Sequence, residues 1–270
     1  ALLGGKLSLS PGGGKTQIPA RPPPHYSGAR MRTSRPSFIP VLLAVTAAAT
    51  TAGAAAGQAA PPSGAVAAVQ PGAWRALFDG TSLDAWRGYQ NAEIPAGWKV
   101  VDGLLRKDAT TRDLMTKEQF GDFELEFEWK LGAGGNAGVF YRATEEYPRI
   151  YWSGPEYQLL DDANAPDGRN RLTSAGAAYG LYPAPAGIVK PADEWNASRI
   201  VAKGAHVEHW LNGRKLLEYD LWSADWEAKV KPGKFSAWPN YGRAKRGHLG
   251  IQGDHNGPLA LRNIRIRELP

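Results

Sequence analysis

Residues Phe123–Leu131 read FELEFEWKL. On an extended chain Phe123, Leu125, Phe127, Trp129 and Leu131 fall on one side, and Glu124, Glu126, Glu128 and Lys130 on the other, because successive strand side chains point to opposite faces. A chain carrying this segment must build a sheet with one apolar and one charged face. Such a sheet buries its apolar face only against a second layer.

The neighbouring segments repeat the signal. Residues 132–135 read GAGG, a turn, and AGVFYR at 137–142 reads as the next strand. SRIVAKG, HVEHWL and RKLLEYD follow closely, with Asn212-Gly213 between the last two, a strong two-residue hairpin signal. GHLGIQ (247–252) and LALRNIRIREL (259–269) close the chain; the alternation is imperfect in the second, so its faces stay unassigned. Helix is expected only at 116–120, as one turn, and at 223–230. Many short strands between Gly, Pro, Asn and Asp turns imply an all-β, one-domain sandwich or jelly roll of two antiparallel sheets.

The formal charge of +6 does not belong to that domain. Residues 1–60 hold six basic residues and no acid, which leaves 26 basic against 26 acidic residues in 61–270. Charge therefore gives no reason to expect nucleic acid or an anionic membrane as a partner. Met31 opens a segment with Arg32 and Arg35, an apolar stretch from Phe38 to about Ala49, and Ala-x-Ala choices near residues 54–60. That order is a secretory signal pattern, and the apolar stretch is too short for a good membrane span. Residues 31–60 are thus expected to be a signal peptide, 61–72 a linker and 73–270 the folded domain. Residues 1–30 are expected to be a disordered segment upstream of the true start. The expected compartment is periplasmic or secreted, with no membrane anchor; the chain has no Cys for a disulfide or a lipid.

Chemistry-bearing residues are few. GPEYQLLDD spans 154–162. As a strand it sends Tyr157 and Leu159 to the core and Glu156 and Gln158 to the open face, roughly 6.6–7 Å apart. Spacing alone favours a solvated strand face over the floor of a site. Asp161 and Asp162 follow, where Asx side chains often cap turns; an oxygen-ligand divalent metal there stays open. His206, Glu208 and Trp210 share one face of HVEHWL, and Val207, His209 and Leu211 the other. Core is expected for Val207 and Leu211, with His209 a satisfied core or edge histidine and Glu208 and Trp210 exposed, as surface groups or sugar contacts. Trp152, Trp195 and Trp238 stand in expected loops, where indole faces suit sugar rings or simply join the core. His255, in a turn after a strand, could act as acid or base. With four His in 61–270, no H-x-x-x-H and no Cys, zinc is poorly supported. There is no G-x-S-x-G, phosphate loop or dinucleotide fingerprint.

Six motifs occur in order: FDGTSLDAW, GDFELEFEWKLGAGGNAGVFYR, EYQLLDD, GAAYGLY, DEWNASRIVAKGAHVEHWLNG and GHLGIQ with LRNIRIREL. Together, over about residues 74–269, they resemble the bacterial 3-keto-disaccharide hydrolase domain family, also described as a 3-keto-glucoside lyase and 3-keto-2-hydroxy-glucal hydratase domain. The resemblance implies a concanavalin-like jelly roll. It also implies an enzyme acting on glycosides or disaccharides oxidised at carbon 3, by proton removal at carbon 2, elimination of the aglycone and hydration. Carried over residue by residue, it implies Glu156, Asp161 and His255 as catalytic candidates, with Glu156 or His255 the base. Arg142, Gln158, Lys245 and Gln252 would contact substrate, joined by Glu208, Trp195 and Trp210 as sugar contacts; His248 lies in the same motif. No cofactor is implied with certainty, and a divalent metal stays open. Two departures stand out: Ala165-Pro166-Asp167 where many members carry His-Pro-Asp, and Gln252-Gly253-Asp254-His255, with an inserted Gly, where many carry Gln-Asp-His-Gly. A carbohydrate-binding module without catalysis is the alternative, since fold does not settle function. An ordinary glycosidase would need two carboxylates about 5–9.5 Å apart across a cleft.

Overall fold

The computed structural model describes residues 71–270. The expectations for residues 1–60 and for most of the linker fall outside the described residues. Thirteen strands appear among the described residues: β1 (Arg75–Phe78), β2 (Trp86–Gly88), β3 (Lys99–Val101), β4 (Leu104–Lys107), β5 (Leu114–Phe120), β6 (Phe123–Leu131), β7 (Asn136–Ala143), β8 (Glu156–Leu160), β9 (Asn196–Lys203), β10 (His206–Leu211), β11 (Arg214–Asp220), β12 (Gly247–Ile251) and β13 (Leu259–Glu268). One sheet runs β11-β10-β9-β6-β13-β4-β3, with β1 also on β13, and the other runs β2-β5-β12-β7-β8. Every pairing is antiparallel. This is the two-sheet sandwich that the alternation demands. Among the described residues, no helix is long and apolar enough to cross a membrane.

β6 shows why. Its five apolar residues are all buried, while Glu124, Glu126 and Glu128 on the outer face pair with Arg199, Arg265, Arg267 and Arg262. The imperfect alternation of β13 has a local cause. The pairing with β6 slips between Arg262 and Arg265, and Asn263 there has φ 51°. A bulge absorbs one residue, so Arg262 and Arg265 both face outward while Ile264 and Ile266 enter the core. Asn212 and Gly213 have φ 49° and 79°, the left-handed pair that a tight β10–β11 hairpin requires.

Helix α1 (Ala224–Val230) forms where expected, and Ser223 Oγ caps it by accepting from Trp226 N at 3.1 Å. The turn of helix expected at 116–120 is instead part of β5. Thr116 is fully buried between β2 and β12, and its hydroxyl accepts from Leu249 N at 3.0 Å. Sheet pairing outweighs the local preference of a polar run.

Between the sheets lies a buried polar chain. His209 Nδ1 donates to Gly176 O at 3.0 Å, which leaves Nε2 to accept from Tyr141 Oη at 2.9 Å; Tyr141 also bonds the Tyr219 hydroxyl. His209 is therefore a satisfied core histidine. On the other face of the five-stranded sheet, Met115, Phe140 and Ala143 form a second apolar cluster with Tyr89 and Ile150. Ile150 begins a 3-10 turn, Ile150–Trp152, so loops roof this outer face.

Candidate active site

β8 is pinned by its inward residues. Tyr157 Oη donates to Trp210 O at 3.0 Å and accepts from Ser198 Oγ at 2.9 Å, and its ring meets Phe127 edge-on at 5.8 Å. Alternation then sends Glu156 and Gln158 outward, yet neither is solvated: they are 7% and 0% exposed. The roofing loops turn an outer strand face into an enclosed one. Register puts Gln158 opposite Gly138 and Glu156 opposite Phe140. The Glu156 carboxylate lies back over Gly138, where an added Cβ would come within 2.2 Å of Oε1.

Enclosure sets the charge. Burial is the largest influence on Glu156 and pushes its carboxyl up to about 8 from 4.5; Asp254, Asp113 and Asp167 push the same way, and Lys234 opposes them. The Lys234 ammonium sits 4.1 Å over the Tyr179 ring, and burial lowers it against the pull of Glu156 and Asp167. One end of the Gln158 amide is 3.1 Å from Glu156 Oε1 and can donate to it; the other is 3.2 Å from the Asn136 side chain. Asn136 Nδ2 reaches Asp167 Oδ2 at 3.4 Å. Glu156, Gln158, Asn136 and Asp167 thus form one polar row. Trp152 and Trp238 stack at 4.8 Å, and Asn240 bonds Glu146 and Tyr147. These contacts clasp the loop bearing Lys234 to the loop bearing Trp152.

Gln252 joins this centre. Its backbone N donates to Gly138 O at 2.9 Å, and its buried Oε1 meets no protein donor. The inserted Gly253 donates its N to Asp113 Oδ1 at 2.7 Å. Asp113 is pushed up to about 6, chiefly by burial. The other expected residues lie elsewhere. His255 is held through its carbonyl by Lys107 Nζ at 2.7 Å, and Asp254 is the acid of that loop felt at Glu156. Asp161 turns away once β8 ends at Leu160. It accepts from Gly134 N, Asn164 Nδ2 and Ala163 N, and these bonds hold its carboxyl below the usual range although burial alone would raise it. Asp162 accepts from Ala175 N and Arg171. Carboxylates already filled with donors do not fit a divalent cation.

Arg142 bonds Gly121 O, Gly204 O and Asp122 Oδ1, one from each guanidinium nitrogen, so it serves the end of the sandwich. Lys245 is exposed, and its carbonyl approaches Gly121 at that same end. His248 Nδ1 donates to Thr116 O, and Nε2 is 3.1 Å from Gln119 Nε2. Trp195 and Trp210 lie on the far face of the eight-stranded sheet, under Arg262 and Arg199 at 4.1 and 4.0 Å; Glu208 accepts from Trp210 Nε1. His206, Glu208 and Glu218 on that face could gather an ion, but Lys215 already bonds both glutamates. Asn136, Asp113 and Lys234 carried no sequence signal; each gains its place through a loop or a strand end.

Compared with known families, residues 73–267 match the one described as the 3-keto-alpha-glucoside-1,2-lyase-like domain. The chain belongs to this family. It is 34% identical over 225 residues to a 3-keto-disaccharide hydrolase of Bacteroides thetaiotaomicron, covering 72% of this chain and 77% of that one. Two solved structures from Parabacteroides distasonis, both provisionally described as glycosyl hydrolases, share the fold. One is 33% identical with a TM-score of 0.69, over 73% of this chain and 94% of its own. The second is 29% identical with a TM-score of 0.56, over 73% of this chain and all of its own.

Proposed function

We propose that the protein is a carbohydrate hydrolase that cleaves glycosides bearing a ketone at carbon 3, with Glu156 as the proton-transfer group. The enclosed, raised carboxyl of Glu156 carries this reading. The family match and the relative from Bacteroides thetaiotaomicron support it. The ketone acidifies the hydrogen on carbon 2. Ionised Glu156 takes that proton, and the C–H pair becomes the enolate of carbons 2 and 3. The enolate collapses to restore the ketone, form the carbon 1–carbon 2 double bond and break the bond from carbon 1 to the aglycone oxygen, which leaves with the proton Glu156 took up, so the carboxylate is ionised again. Water then adds its hydroxyl to carbon 1 and a proton to carbon 2, so the net change is hydrolysis. A carboxylate whose acid form persists to about pH 8 is a stronger base than an ordinary one. The Lys234 ammonium offers positive charge for the enolate oxygen, and Gln158 orients the base.

The test is turnover of a 3-keto-glucoside and its unoxidised parent by purified protein. The keto compound should be cleaved and the parent not. Glu156→Gln should lower kcat about 10²–10⁴-fold, the usual worth of a positioned acid–base group; full activity in that variant sinks the assignment. One point favours a sugar-binding module instead: Ala165 stands before Pro166 and Asp167, where the family resemblance implies a histidine. Sugar binding by calorimetry without product by mass spectrometry would select that reading. Export follows as a proposal from the signal-like segment at 31–60, checked by cell fractionation.

A further inference from the structure

β5, β12, β7 and β8 are successive neighbours in the five-stranded sheet, and their register sets four residues in one line across it. Gly250 pairs with Met115 on one side and with Phe140 on the other. Two residues further along, Gln252 stands opposite Asp113 and Gly138. Gly253 N donates to Asp113 Oδ1 at 2.7 Å, and Gln252 N donates to Gly138 O at 2.9 Å. Gly138 in turn pairs with Gln158. Met115 and Phe140 belong to the apolar cluster on the outer face, and alternation gives Asp113 and Gln252 that same face. The Glu156 carboxylate lies over Gly138, so it stands in this line between the two glutamines. At about 4.8 Å per strand, Gln252 is one strand and Asp113 two strands, roughly 9.5 Å, from that position.

The middle of the line is prepared for a donor. Gln252 is 5% exposed, and its Oε1 meets no protein donor; a buried acceptor is costly until one arrives. Asp113 is 6% exposed, yet it lines a cavity of about 890 Å³ with Thr111, Arg149 and Asp254, so water reaches it. Glu156 lies outside that lining; the strand register, and not the cavity, relates the two acids. A water that gives one hydrogen to Gln252 Oε1 and the other to Asp113 keeps a lone pair for an electrophilic carbon. Carboxyls set this far apart leave room for such a carbon and the water between them.

We propose that Asp113 is the base of the hydration step, holding the attacking water together with Gln252 Oε1 and taking its proton. The proposal rests on the 3-keto-glycoside reading above. Elimination leaves a ketone at carbon 3 joined to a carbon 1–carbon 2 double bond. Asp113 takes one proton of the water as the water oxygen bonds carbon 1, and the double-bond pair shifts to make the enolate of carbons 2 and 3. The enolate takes that proton back from Asp113 at carbon 2 and restores the ketone. The first test supplies the unsaturated ketone directly at pH 9, where Glu156 is ionised. Wild type should convert it to 3-keto-glucose; failure to do so overturns the proposal. Asp113→Asn, which keeps an acceptor for Gly253 N, should hydrate it about 10²-fold more slowly, yet release the aglycone of a 3-keto-glycoside within about threefold of the wild-type rate. The unsaturated ketone should then build up, one water lighter by mass spectrometry. In a variant whose melting curve matches wild type, unchanged hydration, or hydration and release lost together, overturns the assignment. If wild type hydrates the unsaturated ketone through Asp113 but cleaves no 3-keto-glycoside, the assignment stands and the cleavage reading alone falls. The second test needs no variant. Hydration by wild type should slow as pH falls through about 6, the value to which burial raises Asp113, with Asp254 adding and Arg149 opposing; a flat profile there overturns the proposal. Carboxyls so placed also suit direct attack by water on an unoxidised glycoside, so cleavage of the parent compound by wild type overturns it as well.

Discussion

Glu156 and Lys234 influence one another in opposite directions, and this makes the pH dependence specific. Glu156 is protonated below about pH 8 and ionised above it. If it acts as the base, kcat/KM should rise with pH through that region. Lys234 favours the ionised carboxylate, so Lys234→Met should move the midpoint of the profile upward as well as lower its plateau. A pH-rate series on both proteins checks this; an unmoved midpoint would disconnect Lys234 from Glu156. At this scale the sequence carried part of the answer. The alternation of GPEYQLLDD separates Tyr157 and Leu159 from Glu156 and Gln158 correctly. It says nothing of the surroundings that remove water from Glu156, because these lie outside the motif: the turn at 150–152, Asp167 in the turn at 166–169, and Lys234 from much farther along the chain. Asp161 shows the converse: it shares a motif with Glu156 but leaves the strand, and its oxygens hold the 134 and 163–164 backbone.

Among the elements, strands whose period matched their burial were readable, and those with breaks were not. β6 and β10 alternate cleanly and lie where expected. β13 needed the Asn263 bulge to explain its faces, and β5 hid beneath a polar run whose buried member, Thr116, is held by the neighbouring strand. The short strands β1–β4 carry too few residues for a period to show. The loops are held by contacts of their own, and the Trp152–Trp238 stack is the clearest. An aromatic pair contributes about 0.5–1.5 kcal/mol beyond area burial. Trp238→Ala should therefore free the loop that carries Lys234 and reduce kcat/KM about two- to tenfold, while a melting curve shows the sandwich intact. Unchanged kinetics would make the clasp irrelevant to the site.

Across the molecule, the two sheets meet over a buried polar chain that ends at His209. Burial drives its imidazole down to about 4, with the Gly176 bond opposing. The folded form thus resists a proton that the unfolded chain accepts near 6.5. Stability from this residue is complete above that value and is lost as pH falls toward 4, on the order of 3 kcal/mol in full. Thermal melts between pH 7 and 4 should fall steeply for the wild type, and His209→Asn should start lower but fall less. Parallel curves would show that His209 is not the acid-labile group. The charged surface tells a different story: the Trp210, Trp195 and Glu208 face, attractive for sugar in the sequence, is a ladder of arginines and glutamates on the side of the sandwich away from Glu156.

Gly138 has a consequence for how this protein can vary. The Glu156 carboxylate occupies the space that any other side chain at 138 would fill. A larger residue at 138 must displace that side chain, because Oε1, Cδ and Cγ of Glu156 all lie within 2.8 Å of an added Cβ. Positions 138 and 156 are therefore locked as a pair. A lineage that loses the glycine loses the carboxylate's seat in the same step, and a lineage that abandons the acid is freed to fill the glycine. In any descendant of this chain, the residue at 138 records whether the carboxylate at 156 keeps its present seat.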